Sequence, residues 1–460
     1  MTLETRWMRS PRSRLRALVA GVVLAGGTAC GPEDAQDAAS LTQVEAEATA
    51  LPTAGGGIFI TAAELTRARQ RATATTEPYA ENARILKGRA DAALTATPKP
   101  FRMTNIAAIT YHWCSPDTDG IDNSLADATG KFTDDSDRMR SLALQYAVGG
   151  DAKYATRAAL FLKTWASQHT PVNLHDLHVD YAAAKLDGQT ADYCSDRPWN
   201  FALDGLFQAY GLINASDAYV LLKRNGHTFS ATDDAAIREW LRKSAEAVNS
   251  SFQAWTRWAD THPSSGAFTR YRSDNHLSWG LAGLLAASVA LQDSALAGYV
   301  LDGTAWTDRR NGAYANPSFI KDVINRAIES GTGTANEGRI YEEKILRDPP
   351  IGYSLFHLWA MSLVARNAEV NYARPGFWDY AGPGGGTLHK AYTRYAAFIL
   401  GERASPQASE AAPKDYRWLY ELGYAQWPEA RLKSAIQVGT RNRFIVQSMG
   451  PVTLVVGEPL

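Results

Sequence analysis

The chain has 460 residues, 45% of them hydrophobic and 21% charged, a composition that excludes a collagen-like, largely disordered or polytopic membrane chain. Its 47 Lys and Arg against 48 Asp and Glu give a net charge of −1, so the broad basic field of a nucleic-acid binder is missing and any anionic ligand must be met by local Arg and Lys. Thirteen Trp and 20 Tyr suit either a large helical core or the stacking of sugar rings.

The chain opens with a leader. Arg6, Arg9, Arg12, Arg14 and Arg16 precede an apolar run from Ala17 to Ala25 and small residues ending at Cys30, the pattern of an export signal too short to span a bilayer. Cys30 stands where a bacterial lipoprotein leader is cut and lipidated; a plain cut after Ala29 is the alternative. The expected location is therefore the periplasm, the outer membrane through a lipid anchor, or the medium, with no other membrane contact. Residues 31–57, rich in Ala, Gly, Glu and Asp, read as a flexible tether, and 58–460 as the folded domain. Loss of residues 1–30 leaves 42 basic and 47 acidic residues, a net charge of −5. In an oxidising compartment Cys114 and Cys194 suggest one disulfide, whose long loop would contribute roughly 4 kcal/mol by the chain-entropy account. Two buried thiols are the alternative.

From residue 61 the signals are helical. Thr61 and Glu64 form a capping box ahead of a run to Ala72. A run ending near Val148 is broken by Gly149 and Gly150, and Asp151 caps a second run through Tyr154, Ala158, Leu162 and Trp165. The same pairing is expected for Trp199 to Leu212 with Asp217 to Leu222, Asp233 to Phe252 with Leu277 to Leu291, and Ile351 to Ala365 with Leu388 to Leu400. Helix hairpins that bury their apolar faces only against neighbours predict an all-α fold, an α/α toroid. No strand–helix alternation or Gly-rich turn supports a doubly wound sheet. Alternation between Arg443 and Val456 predicts a short terminal β-hairpin or strand. Long connections at His112 to Asp135, Asn173 to Asp196, Trp255 to Asp274 and Thr332 to Pro350 are where function is expected.

Two short runs could carry chemistry. Asp274-Asn275-His276 sits just before the apolar helix beginning at Leu277, where an amide and an imidazole can converge on an anion beside free backbone N–H groups; taken alone, the run reads more readily as an ordinary cap with an incidental histidine. Arg347 and Tyr353 flank Asp348, Pro349 and Pro350, where the prolines disfavour helix and leave a loop that could present both side chains to one cleft; a Tyr at a helix start is also ordinary packing.

Taken in order, Asn-His, a loop, then Arg and a Tyr followed by Ser and Leu resembles the alginate lyase superfamily, especially polysaccharide lyase families 5 and 38. Tyr111, Trp113, Pro116 and Asp119, and Gly150-Asp151 with Lys153-Tyr154-Ala155, extend the resemblance over about residues 58–400. It implies β-elimination on a polyuronate: the C5 proton leaves, O4 is expelled and an unsaturated uronate remains. A charged carboxylate makes that proton very weakly acidic, so the site must neutralise it and stabilise the enolate-like charge. By the resemblance Asn275 and Arg347 do so, Tyr353 takes the C5 proton and returns one to the leaving oxygen, and His276 either holds the carboxylate or acts as base when the proton lies on the opposite face. Neither cofactor nor metal is required, and the partner is an anionic polysaccharide. Family 5 has Asn where Asp274 stands and an Arg-to-Tyr gap one residue longer. The gap here fits family 38, which includes lyases on glucuronan as well as alginate, so the substrate stays open between the two.

Trp113, His112, Asn200 and Arg339 are further candidates for touching the uronate. One rival is a toroid glycoside hydrolase recruiting loop carboxylates such as Asp135, Asp137 and Glu337. Another is a glycan-binding lipoprotein using Trp113, Trp199, Trp279 and Trp378 as stacking platforms. His175 and His178, with Asp176 and Asp180, resemble a metal pair but lack a further ligand at suitable spacing and read better as surface residues.

Overall fold

The computed structural model describes residues 55–100, 125–171, 173, 197–261, 272–310, 312–408, 410, 413–439, 441 and 449–460; at 125–130, 197–204, 254, 255 and 257–261 only the backbone is described. All belong to one compact unit, Thr49–Leu460.

Four long helices follow one another side by side: α3 (Leu125–Gly149), α5 (Arg197–Arg224), α7 (Asn275–Leu291) and α11 (Pro350–Tyr372), with α3 packed on α5, α5 on α7 and α7 on α11. Helices between them return the chain on the outside. Outer α4 (Ala152–Gln168) lies against α3 and α6, α6 (Ala231–Thr261) against α5 and α7, and α12 (Leu388–Ile399) against α11. This is the α/α toroid expected from the hairpin pattern, and the inner helices α7 and α11 are buried nearly all round because neighbouring helices cover them. In α7 every residue except His276 is buried, and in α11 every residue from Pro350 to Ala368 except Tyr353.

The inner helices run parallel, as hydrogen bonds at their C-terminal ends attest. The Tyr146 hydroxyl of α3 donates to the Asn225 carbonyl just past α5 at 2.9 Å, Arg224 of α5 donates to Asn371 Oδ1 of α11 at 2.9 Å, and Ser288 of α7 meets the Tyr372 hydroxyl of α11 at 2.7 Å. Between these ends lies the buried segment Ile58-Phe59-Ile60. The Ile58 N–H donates to Asp217 Oδ1 at 2.7 Å, Asn371 Nδ2 donates to the Ile58 carbonyl at 2.7 Å, and Arg366 Nε to the Phe59 carbonyl at 3.1 Å. Gly56 and Gly57, at the end of the expected tether, are buried here too, so the fold begins slightly before residue 58. Next come α1 (Ala62–Ala72), opened by the Thr61/Glu64 capping box, and α2 (Tyr79–Thr95).

Three expectations are corrected. Trp199 to Leu212 and Asp217 to Leu222 are one helix, α5, not a hairpin. The polar run Asn214-Ala215-Ser216-Asp217 looks like a turn but is buried, and Asp217 serves Arg140 of α3 at 2.7 Å. At the C-terminus Val452–Val455 form a short helix, α15, rather than a strand; residues 442–448 lie outside the described ones. The β-hairpin that does form joins β1 (Ala305–Asp308) and β2 (Gly312–Ala315) after α8 (Ser294–Asp302). Lastly, Asp135 and Asp137 lie within helix α3, not in a loop. The remaining helices are α9 (Ile320–Ala327), α10 (Tyr341–Lys344), α13 (Leu419–Gln426) and α14 (Ala430–Gln437). No helix among the described residues is long and apolar enough to cross a membrane.

Candidate active site

The N-terminal ends of α7 and α11 meet, joined by the short helix α10. Asp274 caps α7: its Oδ1 accepts the His276 N–H at 2.9 Å, and the same oxygen contacts His276 Nδ1. Its Oδ2 accepts from Arg347 at 3.2 Å. The Arg347 guanidinium in turn lies over the Tyr353 ring, 4.1 Å from its centroid, a cation–π stack. Asn275, His276, Arg347 and Tyr353, from two distant runs of sequence, thus converge through Asp274.

Backbone geometry brings Arg347 into place. Leu346 adopts a left-handed conformation (φ 53°), the Arg347 N–H donates to the Glu342 carbonyl at 3.0 Å, and Pro349 and Pro350 then start α11. The first turn of α11 is capped from afar: Glu410 accepts the Gly352 N–H at 2.6 Å and the Ile351 N–H at 3.1 Å. Beneath the part-buried His276, Arg347 and Tyr353 lies a second carboxylate. Glu342 Oε1 accepts both the Asn275 N–H at 2.9 Å and Nδ2 at 3.0 Å, while Oε2 takes His357 Nδ1 at 2.9 Å. Glu342, Asn275 and His357 are fully buried, and Asn275 Oδ1 and His357 Nε2 have no hydrogen-bond partner among the described residues. The floor below is aromatic, with Trp279 of α7 4.3 Å from the ring of Tyr210 of α5 and 4.9 Å from that of Phe356 of α11.

Arg347 stays charged here. Burial, the largest influence, would lower its pKa, but the Asp274 carboxylate, with help from Tyr353 and Glu342, outweighs it and holds the guanidinium above its ordinary value. A guanidinium has five N–H donors, so the bond to Asp274 leaves others for a substrate carboxylate.

Of the other predicted residues, some are placed and others lie outside the described ones. Arg339 pairs with Glu329 at 2.7 Å, a carboxylate it shares with Lys344, rather than with the cluster. Asn200 lies in the first turn of α5, its side chain outside the described set. Cys30, His112, Trp113, Cys114, Cys194 and the His175/His178 pair with Asp176 and Asp180 lie outside the described residues. Trp279 and Trp378, offered as stacking platforms, are core residues at 0% and 1% exposure. The carboxylates offered for hydrolysis are engaged structurally: Asp135 by Trp165 Nε1 at 2.8 Å and the Lys99 N–H at 2.6 Å, Asp137 by Arg89 at 3.2 Å, and Glu337 by Lys390 at 3.4 Å. Sequence reasoning missed Glu342, His357 and Glu410, and took Asp274 only as a cap. Among the described residues no cluster of His, Cys, Asp and Glu suits a metal ion.

The model of the family described as alginate lyase matches residues 71–405. Among solved structures, the fold is similar to that of alginate lyase A1-III from Sphingomonas species A1, at 15% identity and a TM-score of 0.52 over 89% of this chain and 97% of that one. Two variants of the same enzyme complexed with a tetrasaccharide, one with a Tyr replaced by Phe and one with a His replaced by Ala, also match. Each is 15% identical and covers 90% of this chain and 98% of its own, with TM-scores of 0.52 and 0.51. No curated protein matches the chain significantly.

Proposed function

The chain belongs to the alginate lyase family and is a polysaccharide lyase acting on alginate-type polyuronate; we propose that it does so by β-elimination at the junction of α7 and α11. The observation that carries this reading is the exposure pattern of two otherwise enclosed helices, which leaves His276 and Tyr353 as the residues not buried where α7 and α11 begin. Arg347 is stacked on Tyr353 and tied to His276 through Asp274.

In the proposed reaction the uronate carboxylate pairs with Arg347, which withdraws charge from C5 and stabilises the enolate-like transition state. Asn275 has one amide hydrogen left after Glu342 takes the other, and it adds a donor from below. When the C5 proton and O4 share a face, Tyr353 removes the proton as phenolate and returns it to O4 as the C4–O4 bond breaks. When the proton is on the opposite face, His276 takes it and the Tyr353 hydroxyl protonates O4. Either route leaves a C4–C5 double bond conjugated with the carboxylate.

Alginate, with its polymannuronate blocks, and glucuronan are the proposed substrates within this class, the latter because the Arg347-to-Tyr353 gap resembles that of family 38. The proposal also places the protein outside the cytoplasm, in the periplasm or anchored in the outer membrane through Cys30, since the leader resembles that of a lipoprotein.

The test is ultraviolet absorbance of the unsaturated product on polymannuronate, polyguluronate, glucuronan and hyaluronan. Tyr353→Phe and His276→Ala should each reduce turnover at least about 100-fold with the helical circular dichroism unchanged. Near-wild-type rates in both variants would sink the site assignment.

A further inference from the structure

We propose that Asp274 is a positioning residue that fixes the His276 proton on Nδ1, so that Nε2 carries the ring's lone pair and His276 meets the substrate as a proton acceptor. The kinetic consequence rests on the lyase reading above; the tautomer does not.

The assignment follows from which groups can donate. Asp274 Oδ1 already accepts the His276 backbone N–H at 2.9 Å, and Oδ2 accepts from Arg347 at 3.2 Å. The side chain is 2% exposed, and a cap oxygen and a guanidinium partner both need the ionised carboxylate. A carboxylate in that state only accepts, so the hydrogen between it and the ring belongs to His276 Nδ1. In the neutral imidazole the other nitrogen is then the acceptor. A carboxylate on Nδ1 also stabilises the imidazolium formed when Nε2 takes a proton, which is the part an aspartate plays behind a catalytic histidine elsewhere. An amide at 274 would orient the ring but supply no charge, so Asp274 distinguishes a base from a carboxylate-holding donor. Among the described residues, the other charged or titratable groups near this ring include Arg347 and Tyr353 from the α11 side and Glu342 beneath Asn275.

For the substrate whose C5 proton lies opposite the leaving oxygen, as in guluronate, the step balances on these atoms. The Nε2 lone pair forms an N–H bond with the C5 proton, the C5–H electrons become the C4–C5 π bond, the C4–O4 bond breaks, and O4 takes the Tyr353 hydroxyl proton. The imidazolium then returns its proton to the Tyr353 phenolate, directly or through solvent.

The experiment is nitrogen NMR of the whole protein with labelled histidine, the His276 signals identified by their loss in His276→Ala, followed by kinetics of Asp274→Asn. The wild type is expected to show neutral His276 protonated at Nδ1, and Asp274→Asn to shift it toward Nε2–H. Turnover of polyguluronate should fall at least about 100-fold in Asp274→Asn, with KM changed less than about threefold. An Nε2–H tautomer in the wild type overturns the proposal even if Asp274→Asn does not fold. A raised KM with intact kcat overturns it as well, since Asp274 would then act only through Arg347. Absence of turnover on every polyuronate, with the Nδ1–H tautomer intact, would instead sink the lyase reading and leave the tautomer standing.

Discussion

Replacing Glu342 tests whether the buried carboxylate supports the site. It accepts three hydrogen bonds, from the Asn275 N–H, Asn275 Nδ2 and His357 Nδ1, between 2.9 and 3.0 Å, in a region with no solvent exposure. Glu342→Leu leaves at least the two Asn275 donors buried and unpaired. At about 1–3 kcal/mol for each such group, and with removal of the carboxylate's own desolvation cost offsetting part, the loss should be about 3–5 kcal/mol. Glu342→Gln keeps one acceptor oxygen for Asn275, and its amide can donate to His357 Nδ1 if that ring moves its proton to Nε2. The cost should then be about 1–2 kcal/mol. Guanidinium denaturation followed by tryptophan fluorescence, with Trp279 on the floor of the site, reads both variants. In Glu342→Gln turnover should still fall about tenfold, because the Asn275 amide loses a charged anchor. A Glu342→Leu protein within about 1 kcal/mol of wild type, with unchanged turnover, would refute the claim that this carboxylate organises the site.

Three further outcomes are expected. Asp217→Ala leaves Arg140 as a buried unpaired cation and the Ile58 N–H without its acceptor, so denaturation should show a loss of about 3–5 kcal/mol, with the Arg140→Met/Asp217→Leu double variant clearly less damaged. Gly338 has φ 71° and a Cβ there would lie 2.2 Å from the Lys390 carbonyl oxygen, so Gly338→Ala should cost about 2–3 kcal/mol, and a cost below about 0.5 kcal/mol would contradict the geometry. His169 accepts the Trp240 N–H among Phe132, Trp165 and Trp240, and burial pushes its pKa down to about 3. Its contribution to stability is therefore fully present above the unfolded value of about 6.5 and is lost as pH falls from there toward about 3. The loss at pH 5 should be about 1 kcal/mol after allowance for the ring's partial exposure. His169→Gln should flatten the stability profile between pH 7 and pH 5, and an unchanged slope would exclude His169 as its source.

Features set by local backbone chemistry were legible in the sequence, and features set by distant partners were not. The break between α3 and α4 could be read because Gly150 is left-handed (φ 77°) and Asp151 caps through the Lys153 N–H at 3.0 Å, all within a few residues. The false break within α5 arose because Asn214, Ser216 and Asp217 have the composition of a turn, whereas Asp217 answers Arg140 of α3 and Ile58 of the N-terminal segment. The site divides in the same way. Asn275-His276 and Arg347 with Tyr353 stood out because each pair is adjacent or nearly so. Glu342 meets Asn275 across 67 positions and Glu410 meets Gly352 across 58, so a Glu within Tyr-Glu-Glu-Lys and another in a polar loop gave no signal.

The charge arithmetic now has a structural counterpart. Parallel inner helices present their N-termini at the end where the candidate site lies, and such ends attract anions. In α7 and α11, however, the protein's own carboxylates already occupy that role: Asp274 caps the first, and Glu410 takes two N–H groups of the second. On the proposed site assignment a polyanionic substrate is thus met less by helix dipoles than by side chains, above all by Arg347. Asp274, Glu342 and Glu410 do not simply repel it, because each is spent on orienting donors: Asp274 on His276 and Arg347, Glu342 on Asn275 and His357, Glu410 on the helix that carries Tyr353. In the proposed reaction, donors held in place before the substrate arrives need no reorganisation as charge develops at C5, and that preorganisation is how a protein without net positive charge would stabilise an enolate-like transition state.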